Sequence, residues 1–222
     1  MGTLYLIRHG QASFGAADYD QLSALGERQS VRLGEYFASK GLVFEAVLTG
    51  TLKRHAQTWE GIARGAGLQL APLLWPGLNE YDSEAVIRAI HPAPLEKPGT
   101  PELVKHHFRL LRDGLTQWMN GAVQPAGMPS YAEFAHGVRS ALDHVREHHS
   151  GNVLLVSSGG PISTAVGHVL GTAAQATIEL NLRIRNSAVT EFAYTPKRHV
   201  LLTFNNLAHL DAPHYAGWET YA

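Results

Sequence analysis

VLLVSSGGPIS, residues 153–163, decides the fold. Val153 to Val156 run without polar interruption, as in a strand buried on both faces. Ser157 and Ser158 end the run, two glycines turn the chain, and Pro161 sits where the first turn of a helix accepts it. TLYLIRHGQAS, residues 3–13, makes the same break, with an apolar strand from Thr3 to Ile7 followed by Arg8, His9 and Gly10. Strands that feed helices in this way build mostly parallel sheets, and ligands lie in the crevice outside the carboxyl ends of the strands.

The rest of the chain fits that pattern. Ser23 is expected to cap a helix whose apolar face carries Leu25, Val31, Leu33 and Phe37, with Lys40-Gly41 closing it. Phe44 to Leu48 predicts a second strand, Thr51 to about Ala66 a second helix, and Leu68 to Leu74 a region holding a third strand. Residues 83–130, rich in Pro and Gly, predict two helices near 84–91 and 101–120 and read as a variable helical insertion over one end of the sheet. Ser130 is expected to cap a helix over 131–149, and Val189 to Tyr194 with Val200 to Phe204 predict a final hairpin around Pro196-Lys197. The expected architecture is one domain, residues 1–222: a three-layer α/β/α sandwich on a mostly parallel sheet, with a helical lid insertion.

Composition narrows the function. The net charge is −1 and Lys and Arg are spread along the chain, so the basic stripe of a nucleic-acid binder is missing. No cysteine is present, which excludes thiolate catalysis, disulfides and cysteine metal sites. No stretch approaches a membrane span, and the first residues enter a strand with no leader pattern, so a cytoplasmic protein without membrane partners is expected. LIRHGQAS lacks the dinucleotide fingerprint and SSGGPIS lacks the lysine of a phosphate-binding loop, which weakens a nucleotide-dependent alternative.

Four polar groups fall at predicted strand ends: Arg8 with His9, Arg54, Glu80, and the Ser157-Ser158 pair. Arginine forks match phosphate oxygens, and a helix N-terminus such as SSGGP adds backbone N–H donors for an anion. Neutral imidazole is a nucleophile, and a carboxylic acid can protonate a leaving alkoxide and then deprotonate water. Two nearby arginines favour the neutral form of His9. With arginines neutralising the developing charge, neither a metal nor a cofactor is required.

LYLIRHGQAS, LSALGERQ, TGTLKRHAQT, GLNEYD and VLLVSSGGPI, in that order, resemble the histidine phosphatase superfamily of phosphoglycerate mutases and acid phosphatases. The resemblance implies a phosphomonoester hydrolase acting through a phosphohistidine at His9. Arg8 and Arg54 are then phosphate ligands, Glu80 is the general acid and base, and Gln11 and Ser13 line the pocket. The partner implied is a small phosphorylated substrate or a phosphoprotein, and a homodimer is one option for assembly.

The chain departs from the family at its opening stretch. The family reads V-S-H-G-G there, its histidine a further phosphate ligand, whereas this chain places Ser158. Losing one such donor costs about 3–4 kcal/mol, or 10²–10³ in rate. Three alternatives follow: a slower enzyme in which Ser158 and the turn N–H groups serve, another histidine reaching in, or a phosphate-binding module without turnover. A phosphoglycerate mutase is a lesser alternative. Among the histidines, His209 follows a strand, His91, His106 and His107 lie in the insertion, and His55 is expected to point away from Arg54 on its helix. His144 and His148 have the spacing of a metal pair but no third ligand in view, and read as a wet helix face. Lys97, Lys105, Arg109 and Arg112 in the insertion are candidates for a second acidic group on the substrate, while Phe108, Leu111 and Trp118 read as core.

Overall fold

A computed structural model describes residues 1–13, 20–95 and 99–221. Lys97 therefore lies outside the described residues. The apolar runs form a six-stranded sheet: β1 (Gly2–Arg8), β2 (Phe44–Thr49), β3 (Leu73–Leu74), β4 (Asn152–Ser157), β5 (Val189–Thr195) and β6 (Arg198–Asn206). The spatial order is β3-β2-β4-β1-β5-β6. The first four strands in that order run parallel, β5 is antiparallel to β1, and β6 is antiparallel to β5.

The unbroken apolar character of β1 and β4 follows from burial on both faces. Leu4, Leu6, Val153 and Leu155 join one core cluster, while Tyr5, Ile7, Leu154 and Val156 join the other. Successive strand side chains alternate between faces, so both sets must be apolar. The second cluster is covered by α1 (Ala24–Ser39) and α2 (Lys53–Ala66). The first is covered by α5 (Tyr131–His148), α6 (Gly159–Leu170) and α7 (Ala174–Arg183). The insertion helices α3 (Ser83–Ile90) and α4 (Pro101–Met119) join that same cluster through Val86, Leu111, Leu115 and Trp118.

Local signals set the helix ends. Ser23 caps α1, its hydroxyl accepting from the Gly26 N–H at 3.1 Å. Ser130 and Glu133 form a reciprocal capping box at α5, an arrangement that satisfies two orphan donors. The α1 N-terminus rests directly on the turn after β1. A Cβ on Gly26 would stand 2.1 Å from the Gln11 carbonyl oxygen, so only glycine permits this approach.

One strand falls within its expected region but is short, and one helix was not foreseen. β3 is a two-residue edge pairing, with Leu73 and Leu74 largely exposed. Helix α7 was not expected at all; its N-cap is Ala173, which makes no side-chain cap, and only Thr177 and Ile178 are buried along it. A helix with neither cap chemistry nor a broad apolar stripe leaves little trace in sequence.

Leu155 is 1% exposed in the centre of the sheet, whereas Leu170 is 54% exposed at the end of α6. Leu155→Ala is expected to lower unfolding free energy by about 2–5 kcal/mol, through lost transfer energy and a residual cavity. Leu170→Ala is expected to stay within about 0.5 kcal/mol of wild type. Urea unfolding of the two variants checks the core assignment.

Candidate active site

Strand register brings the two turns together. Arg8 is paired with Ser157 across β1 and β4, and the His9 N–H donates to the Ser157 carbonyl at 2.9 Å. On the other side of β4, the Gly50 N–H donates to the Val156 carbonyl at 3.1 Å, placing the start of α2 beside the same strand end. The Ser157 hydroxyl donates to the Leu78 carbonyl at 2.6 Å and ties down the loop carrying Glu80. The Glu80 carboxylate accepts from the Gly160 N–H at 3.1 and 3.2 Å. A Cβ on Gly160 would fall 2.2 Å from Glu80 Oε1, so any larger residue there would displace the Glu80 carboxyl. The α6 N-terminus thus holds Glu80 with one of the N–H groups expected to face a phosphate.

His9 is 4% exposed. Its Nδ1 lies 2.7 Å from the Gly10 carbonyl. A carbonyl only accepts, so the proton sits on Nδ1 and Nε2 keeps its lone pair. Burial, then Arg8, Arg54 and His55, hold the His9 pKa well below its ordinary value, and the ring is neutral. Burial pushes Glu80 the other way, above the usual carboxylate range, although the Gly160 N–H, Arg54 and Arg8 all pull it down. Arg8 and Arg54 act on both His9 and Glu80, so the four groups share one electrostatic site. The pair of shifts gives a neutral imidazole and a carboxyl inclined to hold its proton within the reach of the same two arginines.

The arginines are fixed by other groups. Arg54 is 7% exposed, not a solvated helix residue, and its Nη1 donates to Asp20 Oδ1 at 2.8 Å. Asp20 Oδ2 also accepts from the Lys53 N–H at 3.0 Å, at the N-terminus of α2. Arg8 Nη1 donates to the carbonyls of Ile184 and Tyr221. Gln11 and Ser13, expected to line the pocket, make bonds that hold the loop: Gln11 Oε1 accepts from the Ser23 hydroxyl at 2.8 Å, and the Ser13 hydroxyl donates to the Leu22 carbonyl at 3.0 Å. Asp20 and the C-terminal segment carry no sequence signal and were missed. Asn186 Nδ2 and the Ser187 N–H both donate to the His9 carbonyl, and the Thr220 hydroxyl donates to Asn186 Oδ1.

The histidines are redistributed. His55 does not point away. It is fully buried, its Nε2 lies 2.7 Å from Ser158 Oγ, and its ring centroid is 5.9 Å from that of His9. The residue after Arg54 turns inward because α2 begins at the strand end, where its first turn faces the crevice. Burial and Arg54 lower the His55 pKa to about 3. His209 lies behind the His9 turn, where its Nε2 meets the Ser187 hydroxyl at 2.9 Å. His144 and His148 stack with centroids 4.4 Å apart, and among the described residues no group of three His, Cys, Asp or Glu side chains could hold a metal. Lys105 and Arg109 are exposed, and Arg112 is paired with Glu179 at 2.8 Å. Trp118 and Leu111 are core as expected, whereas Phe108 is 45% exposed. Among the described residues no helix is long and apolar enough to cross a membrane.

Comparison with known proteins matches residues 4–207 to the histidine phosphatase superfamily (branch 1). A relative from Photorhabdus laumondii, named "Probable phosphoglycerate mutase GpmB", is 28% identical over 95% of both chains. A phosphoserine phosphatase of Entamoeba histolytica, solved with phosphoserine, superposes with a TM-score of 0.66 at 19% identity, covering 95% of this chain and 100% of that one. A mycobacterial glucosyl-3-phosphoglycerate phosphatase, solved with VO3, gives a TM-score of 0.67 at 19% identity over 93% of this chain and 100% of that one. The last two likenesses concern the fold.

Burial, reinforced by Arg32, lowers the His209 pKa to about 3. Between pH 6.5 and that value the unfolded chain binds a proton that the folded imidazole refuses, so this group lowers stability as pH falls. His209→Gln lacks the group. The stability of wild type relative to this variant is expected to decline by about 1.4 kcal/mol per pH unit below the unfolded histidine pKa, read from urea unfolding between pH 7 and 4.5.

Proposed function

The chain belongs to the histidine phosphatase superfamily, and from that premise we propose that it is a phosphomonoester hydrolase working through a phosphohistidine at His9. The observation that carries this reading is the His9 ring, neutral and proton-locked by the Gly10 carbonyl, in one electrostatic cluster with Arg8, Arg54 and Glu80. In the first step the Nε2 lone pair forms a bond to phosphorus as the phosphorus–oxygen bond to the leaving group breaks. Glu80 gives its proton to the departing alkoxide. In the second step Glu80 takes a proton from water, the resulting hydroxide oxygen bonds phosphorus, and the bond to Nε2 breaks to return neutral His9 and inorganic phosphate. Arg8 and Arg54 hold the equatorial oxygens, where charge gathers.

A second reading has one observation in its favour. The Photorhabdus relative's printed name is that of a mutase, and a mutase and a hydrolase share the first half-reaction. They differ in whether water reaches the phosphoenzyme. The binding-module alternative is disfavoured by Glu80, because anion binding alone has no use for a buried acid next to the anion.

Hydrolysis of an aryl phosphate in the presence of a metal chelator tests the proposal. Wild type is expected to turn over, and His9→Ala to lose at least about 10³-fold, since the nucleophile cannot be replaced by binding groups. Equal activity in the two proteins would refute the phosphohistidine. Transfer of the phosphoryl group between phosphoglycerate positions, faster than its release to water, would favour the mutase.

The pH profile gives a separate check. Glu80 must be protonated for the first step and its pKa is raised, so kcat/KM is expected to fall as pH rises through that value, above the ordinary 4.5. His9 is already neutral below 6.5 and is expected to add no acid limb there. Glu80→Gln should abolish the alkaline limb together with most of the activity.

A further inference from the structure

We propose that Ser158 and His55 form a relay that replaces the charged donor missing from the turn after β4: Ser158 donates its hydroxyl proton to a phosphoryl oxygen, and His55 positions that hydroxyl from behind. The inference rests on the phosphatase reading above and extends it to His55 and to the bond that fixes the Ser158 hydroxyl. Ser158 stands at the N-cap of α6, where a serine ordinarily bonds a backbone N–H of the first turn. Here the side chain makes no such cap. It is fully buried, and its oxygen lies 2.7 Å from His55 Nε2.

The direction of that bond follows from the other ring nitrogen. Among the described residues, His55 Nδ1 is buried without a hydrogen-bond partner. It is packed against Gly50, where a Cβ would come within 2.2 Å of it. A neutral imidazole has one N–H, and a buried unbonded N–H is rarer than a buried unbonded acceptor. The proton therefore resides on Nε2 and is donated to Ser158 Oγ. A hydroxyl that accepts this bond has its own proton left to give. Two features direct that proton towards the crevice: the neighbouring turn, held in register by the Arg8–Ser157 pairing, carries His9, and the His9 and His55 rings are 5.9 Å apart. His55 is thus a positioning residue and Ser158 the group that touches the anion. The opposite assignment, with His55 as base and Ser158 as a second nucleophile, requires His55 to accept a proton, which its burial beside Arg54 opposes.

Phosphate affinity by calorimetry, and aryl phosphate kinetics, separate these possibilities. Ser158→Ala and His55→Ala are each expected to weaken inorganic phosphate binding by about 10- to 100-fold, the range for a hydrogen bond to a charged group. The double variant should be no weaker than the weaker single variant, because the two residues act as one arm. His55→Gln keeps an N–H donor and should recover part of the loss, which a role in packing alone would not produce. Ser158→His is expected to be damaging beside His55 but to restore affinity in a His55→Ala background. Circular dichroism identifies any variant that fails to fold; if His55→Ala does, His55→Gln and Ser158→Ala still decide the matter.

Additive losses in the double variant, or a His55→Ala protein with wild-type phosphate affinity, would overturn the relay. So would a wild-type protein that binds no phosphate, or phosphate found covalently on Ser158 by mass spectrometry. If turnover is independent of His9 while the coupled losses of affinity persist, the phosphohistidine reading falls and the relay stands as an anion-binding device.

Discussion

Parallel pairing of β1 with β4 is the constraint on which the site depends. Each strand ends in a tight turn into polar residues, and the register that sets Arg8 opposite Ser157 makes those turns adjacent. A slip of one residue would turn every side chain of a strand to the other face of the sheet, and both faces here are closed by packed helices. The core therefore enforces the register, and the register enforces the distance between the His9 turn and the Ser158 turn. No contact within the site has to supply that alignment.

Charge is managed in this crevice by giving each group a partner from outside it. Asp20 holds Arg54 and also meets the first N–H of the helix that carries it. Carbonyls at Ile184 and Tyr221 hold Arg8. The buried Arg54 needs such a partner most, since a desolvated unpaired charge is very costly. The consequence for the neighbours is opposite in sign. Burial, with Arg8 and Arg54 at His9 and Arg54 at His55, lowers the pKa of both histidines, while burial raises that of Glu80 despite the two cations. For a carboxyl group held by a backbone N–H, desolvation outweighs attraction here, and the result is a neutral imidazole and a carboxyl group whose pKa is raised within one electrostatic site.

Much of this was legible in the chain. The strands LYLI and VLLV announce burial on both faces by their lack of alternation, and the polar residues that follow them mark the crevice. Arg8, His9, Arg54 and Glu80 were legible because their chemistry and their place at strand ends agree. What escaped lies where neither signal exists. Helix α7 has no side-chain cap, and Asp20, Asn186 and Thr220 act through contacts between segments far apart in sequence. Gln11 and Ser13 make bonds that hold the loop, since polar side chains in a tight turn also bond its own backbone and neighbours.

His55 shows why position along the chain is a weaker guide than position in the fold. On a helix interior, adjacent residues point about 100° apart, and from that rule His55 should diverge from Arg54. At the first turn of α2 both directions remain inside the crevice, because the helix starts at the strand end and β4 closes the other side. The proposed relay places a donor at the turn after β4, and an imidazole can approach that point from either element. With the ring carried by α2, the turn residue itself has to be small enough to leave room and polar enough to accept its N–H. Ser158 meets both conditions, so what looks like the loss of a histidine in one strand-end motif is matched by the presence of one in the next.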